Sequence, residues 1–143
     1  MLIRRPPESV RRGAVAVELA VLLPLLMFLA VIGVDYARIF SRAMILETAS
    51  RNACVYAAQD SDKAVDTAGI QAVALKDLTD VDPTPTVTPN PPYTGADGFQ
   101  YVKVTVSMTF STVTDFPGVP SQTQLSRSTT MRVNPKTPKP GTY

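Results

Sequence analysis

Apolar positions along this chain follow three different spacings, and each marks a different element. From Ala14 to Val34 they are nearly continuous, AVAVELAVLLPLLMFLAVIGV, interrupted only by Glu18 in charge and by Pro24 in backbone. From Asp35 to about Gln59 they recur at threes and fours, at Tyr36, Ile39/Phe40, Ala43, Leu46, Ala53 and Ala57, the spacing of a one-sided helix. From Tyr101 to Phe110 they alternate strictly. Val102, Val104, Val106, Met108 and Phe110 fall on one side, and Lys103, Thr105, Ser107 and Thr109 on the other, as in a strand with one buried face.

As a helix, residues 14–34 extend about 30 Å, the thickness of a bilayer core. Leu, Val, Ile, Met and Phe surround such a helix on every side, and a chain of 143 residues has little protein with which to cover it. The run is therefore expected to be a transmembrane helix. Pro24 frees the carbonyl of Ala20 and predicts a bend, which membrane helices tolerate. No proline interrupts residues 35–59, so the helix should continue beyond the membrane, with Arg38, Arg42, Glu47 and Arg51 towards water or headgroups. Its small residues, Ala43, Ala49, Ala53, Ala57 and Ala58, allow close approach of a partner helix or of the chain's own sheet.

Residues 60–82 combine six aspartates with Ala64, Val65, Ala68, Ala72, Val73, Leu75 and Leu78, and predict a shorter acidic helical segment with a wet face. Residues 83–98 read as a Pro/Thr-rich linker, since five prolines in Asp82–Pro92 exclude helix and central strand. Residues 99–133 form the β region. Phe116-Pro117-Gly118-Val119-Pro120 supplies turn material, and Gln124–Val133 can return antiparallel to bury Leu125 and Met131 beside the first strand. Two strands alone are marginal, so the ribbon must pack on a helix, on a short additional strand or on another subunit. Residues 134–143, with three prolines, are expected to be disordered. The fold class is α+β: a long N-terminal helix containing one membrane span, then a short helix and a small antiparallel β ribbon or sheet.

Charge orients the span. Arg4, Arg5, Arg11 and Arg12 against Glu8 precede it, whereas Asp35, Arg38 and Arg42 follow it, which places residues 1–13 in the cytoplasm and the C-terminal region outside. A cleaved secretory signal also begins with basic residues and an apolar core. Here the core is too long, contains a glutamate and runs into Asp35-Tyr36-Ala37-Arg38 without a small-x-small cleavage site, so retention is expected. Tyr36, Arg38 and Phe40 at the exit suit interface anchoring, and Gly33 suits close helix packing.

Composition narrows the chemistry. With no histidine, one cysteine and carboxylates scattered through Ser/Thr/Pro-rich sequence, neither a common zinc site nor a histidine-based acid–base pair can be assembled. No catalytic residue, cofactor, metal or small-molecule substrate is assigned. Asp60, Asp62 and Asp66 lack the glycine and terminal glutamate of a calcium loop. No basic stripe with interleaved aromatics suggests nucleic acid. Cys54, among small residues, reads as a buried hydrophobe, with an intermolecular disulfide as the competing role.

Glu18 is the sharpest anomaly, because a carboxylate within a span is expensive and usually marks function or pairing. It belongs to the junction Arg11-Arg12-Gly13-Ala14-Val15-Ala16-Val17-Glu18-Leu19. A cut after Gly13 would leave an ammonium at Ala14, one helical turn from Glu18, and the two charges could neutralise each other within a subunit or between packed helices. Gly13 offers a protease an uncluttered, extended backbone.

These residues resemble the type IV pilin class, whose leader ends in glycine and whose mature fifth residue is glutamate. More closely, the chain resembles the TadE-like family of the tight-adherence (Flp) pilus assembly system. The resemblance rests on the basic leader, Gly13, Glu18, Leu22-Leu23-Pro24-Leu25-Leu26, and the Gly33-x-Asp35-Tyr36-x-Arg38 exit. It extends to the Val-rich strand paired with residues 125–133.

The resemblance implies a pilin-like plan and a bitopic pseudopilin of the bacterial inner membrane, processed by a prepilin peptidase at Gly13/Ala14. Its implied partners are other pseudopilins, assembly-platform proteins and the lipid bilayer, in pilus assembly, cell adhesion or secretion. The competing reading is an unprocessed, membrane-tethered extracytoplasmic binding module in which Glu18 is incidental.

Overall fold

The computed structural model describes residues 8–112 and 121–135. The turn material at 116–120, residues 136–143 of the tail and the side chains of Arg4, Arg5, Arg11 and Arg12 lie outside the described residues. The chain divides into two compact units, residues 1–37 and 38–143.

The first unit is helical from Glu8 onwards, as part of α1 (Glu8–Ala57), which contains Pro24. Continuous Ala, Leu, Val and Met, without competing turn residues, account for its persistence. Gly13 is helical, not extended as the sequence reading proposed. Nothing lies within 4 Å of where a Cβ at Gly13 would stand, so its backbone is unobstructed although regular.

The second unit begins with the outer part of α1, whose small side chains lie on a sheet. Leu46, Ala49, Ser50, Ala53, Cys54 and Ala57 are fully buried. Of the two occupants suggested for the alanine stripe, the structure shows the chain's own sheet. The buried face runs through Ala43 and Leu46, with Ile39 partly covered, while Phe40 points away, 69% exposed. That differs from the helical spacing read in the sequence, which grouped all of these apolar residues together.

The single acidic helix expected over 60–82 is two helices, α2 (Ser61–Val65) and α3 (Thr67–Lys76). Asp60 starts α2 by accepting the N–H groups of Asp62 and Lys63 at 3.0 and 2.8 Å. Asp66 separates the helices. Its N–H donates to Lys63 O, closing α2, and its carboxylate accepts Gly69 N–H at 2.9 Å, opening α3. Ile70 and Ala74 then carry α3 onto the core, followed by Leu78 and Val81.

Four strands form one antiparallel sheet: β1 (Thr86–Pro89), β2 (Tyr93–Thr94), β3 (Gln100–Ser111) and β4 (Gln122–Arg132). β3 is central. β1 and β2 follow one another along one edge, Val87 opposite Val106 and Tyr93 opposite Tyr101, and β4 pairs along the other with Met108 opposite Leu125. The stretch expected to be a linker over 83–98 therefore contributes two short edge strands. Proline is compatible with this because Pro89 stands at an edge, where its missing N–H is not required by a neighbour. The alternation of β3 is as the sequence predicts: Val102, Val104 and Val106 are fully buried, with Met108 and Phe110 nearly so.

Polar ties fix α1 to the sheet. The Ser50 and Thr129 hydroxyls meet at 2.8 Å, Cys54 Sγ–H donates to Thr129 O at 3.1 Å, and Asn134 N–H donates to Ala58 O at 2.9 Å. Asn52 Nδ2–H also reaches Asp77 Oδ2 at 2.7 Å. The first three satisfy polar groups that helix–sheet contact would otherwise desolvate, whereas the Asn52–Asp77 bond is exposed and joins α1 to the end of α3.

Candidate functional site

The first unit carries the candidate site. Along it Val15, Val17, Leu19, Val21, Leu22, Leu23, Leu25, Leu26, Met27 and Leu29 are all at least half exposed. None of the most apolar 18-residue window is buried. Such a surface is unstable in water but matches hydrocarbon, and the helix is long and apolar enough to cross a membrane.

Glu18 is exposed on this shaft. Its neighbours one turn away include Val21 and Leu22, 72% and 51% exposed, so the carboxylate stands on an apolar surface with no cation beside it among the described side chains. Gly13 lies five residues earlier, about 7.5 Å along the axis. The backbone of Ala14 lies within the same helix, one turn from Glu18, while its side chain is outside the described residues. The structure thus brings Gly13, Ala14 and Glu18 onto one short helical segment.

The remaining expected residues are spread along α1. Pro24 lies within the exposed shaft and Gly33 has open space where a Cβ would be. The Arg38 guanidinium stands 5.3 Å from the centroid of the Phe110 ring, so this cation rests on the sheet's own aromatic. Tyr36 and Phe40 present bare rings.

Other arrangements were not foreseen from the sequence. Asp35 is buried, 6% exposed, in a helix whose preceding residues are bare. At the far end of the sheet Arg132 lies 3.4 Å from the Phe99 ring centroid, Tyr93 stacks on Tyr101 at 5.9 Å, and Tyr101 O–H donates to Asp97 Oδ2 at 2.6 Å. The Tyr101 hydroxyl, followed by the Phe99 N–H, holds the Asp97 carboxyl below its usual value. The one sequence signal for this cluster is aromatic density around the Asp97-Gly98 turn, where Gly98 adopts a φ of 79° that only glycine accepts readily.

No group of three His, Cys, Asp or Glu among the described residues is placed to hold a metal. A shallow groove of about 280 Å³ is lined by Met44, Ile45, Thr48 and Asp77, which provide no nucleophile–base pair.

A bare apolar helix at the N-terminus joined in sequence to a small α+β unit is the design of a single-pass, membrane-anchored protein. Residues 13–54 match the family described as TadE-like protein. That segment holds Gly13, Glu18 and the whole apolar run, and over it the chain is similar to the TadE-like family. No curated protein matched, and no solved structure matched.

Proposed function

We propose that the chain is a non-enzymatic pseudopilin-like subunit used to assemble a tight-adherence pilus or a related secretion apparatus. The observation that carries this reading is Glu18 on an otherwise unbroken apolar helical surface, five residues after Gly13, within the segment that matches the TadE-like family. In this account the leader is cytoplasmic, residues 14–34 span the bacterial inner membrane, and the outer unit is extracytoplasmic. A prepilin peptidase cuts between Gly13 and Ala14. Because Gly13 is helical, cleavage requires local unwinding, which glycine makes easier by about 1 kcal/mol relative to alanine.

The new Ala14 ammonium and Glu18 then form a pair whose opposite charges cancel in hydrocarbon. Pairing between neighbouring copies, or with other pseudopilins, sets the axial stagger of adjacent helices. The exposed Val, Leu and Met surface supplies lateral packing, and the outer unit meets assembly-platform partners.

Glu18→Gln tests the role of the charge. The variant should remain inserted in the membrane, since removing a carboxylate lowers the insertion cost. It should lose pilus assembly or secretion by at least tenfold. Unchanged assembly with normal protein levels contradicts the proposal.

A further inference from the structure

The two edges of the sheet are treated differently. At the β1 edge, Pro89 has no N–H to offer and Val87 O already accepts Gln71 Nε2–H at 3.3 Å, so α3 and a proline protect a strand of four residues. β4 is eleven residues long and contains neither proline nor lysine. Exposed edges of that kind are templates for another strand.

Hydrogen bonds at both ends of the β3–β4 pair establish which groups are available. Val133 N–H donates to Gln100 O at 2.8 Å, and Thr112 N–H donates to Ser121 O at 3.1 Å. Both belong to the register that pairs Tyr101 with Arg132 and Ser111 with Gln122. Backbone groups alternate along an antiparallel pair. Odd-numbered residues of β4 therefore turn N–H and C=O towards β3, and Gln124, Ser126, Ser128 and Thr130 turn theirs outward. Among the described residues no strand pairs with this edge, and the one contact on it is Arg127 Nη1–H to Ser126 O at 3.0 Å.

We propose that the β4 edge is a homotypic interface, on which β4 of a second copy pairs antiparallel about a two-fold axis at Ser128. An axis at Arg127 would set two guanidinium groups opposite each other, and one at Ser126 would place Arg127 against Leu125. The Ser128 axis avoids both. It brings Leu125 opposite Met131, Arg127 opposite Thr129, Gln124 opposite Arg132 and Ser126 opposite Thr130. Apolar residues then meet on the core-facing side, and the arginines face neutral acceptors. Arg127 must release Ser126 O as the strands join. The contact is isologous and closes on two copies. It uses residues far in sequence from Gly13 and Glu18 and is independent of leader processing.

Cysteines introduced one at a time into the full-length, membrane-embedded chain test the register, with Cys54 left in place because it is fully buried. Opposed Cα atoms in a hydrogen-bonded pair are about 5.5 Å apart, within disulfide reach. S128C should give a dimer at twice the monomer mass after mild oxidation with copper phenanthroline. Q122C should not, because six residues from the axis in each copy set the two thiols roughly 40 Å apart. Adding Thr130→Pro removes an outward N–H while sparing the bonds to β3, and should abolish the S128C dimer. A monomeric S128C, equal cross-linking of S128C and Q122C, or cross-links only to other proteins overturns the proposal. Should the Thr130→Pro chain fail to fold, the comparison of S128C with Q122C decides.

Discussion

Glycine-like closeness between α1 and the sheet is achieved with alanine, and this sets the tolerance of individual positions. Ala49, Ala53 and Ala57 are each fully buried, and Cys54 occupies the same contact with its thiol on Thr129 O. With Ala53 fully buried, the isobutyl side chain of Ala53→Leu must separate helix from sheet or distort rotamers. Overpacking of this kind costs about 1–3 kcal/mol. Thermal unfolding of the detergent-solubilised chain should register the loss, whereas Phe40→Leu, on a side chain 69% exposed, should melt like the parent. Cys54 illustrates what a sequence reveals at this scale: alanines around it indicated burial, but only the fold shows which carbonyl receives the thiol.

At the scale of elements, the joint between α2 and α3 depends on one carboxylate. Gly69 N–H, and after it the Tyr56 hydroxyl, hold the Asp66 carboxyl below its ordinary value of 3.8. A carboxyl whose pKa is depressed by folding stabilises the native state above its unfolded pKa, and this contribution disappears as pH falls through the folded value. Asp97 at the Tyr101 hydroxyl acts in the same sense. The melting temperature should therefore hold while the pH stays above the ordinary aspartate value of 3.8 and decline as the pH falls below it. Asp66→Asn should flatten part of that decline, and an identical acid profile would contradict the assignment.

Elements were legible where their periodicity was uninterrupted. The valines at 102, 104 and 106 announce β3, and the continuous apolar run announces the exposed shaft of α1. β1 was hidden because proline density argues against strand, while Pro89 needs only an edge with no further neighbour. The division of the acidic segment was hidden because Asp66 serves two helices through backbone groups that no periodicity encodes. The burial of Asp35 has no signal in its sequence position between Val34 and Tyr36.

For the molecule as a whole, the two units answer to different solvents. From Val15 to Leu29 the first displays apolar side chains apart from Glu18, a surface that matches hydrocarbon. The second buries its valines, alanines and Leu46 in a core of its own. Of the site, the Gly13/Glu18 spacing was readable directly, since it needs only one helical segment; the two-edged character of the sheet was not, since it needs register. The central claim is that this spacing is a processing and pairing device. Intact mass and N-terminal sequence of the protein purified from its native membrane, in cells with an active prepilin peptidase, test it most directly. A chain beginning at Ala14 is the predicted result. A chain that retains residues 1–13 would contradict it and leave a membrane-tethered module whose Glu18 has no ammonium to meet.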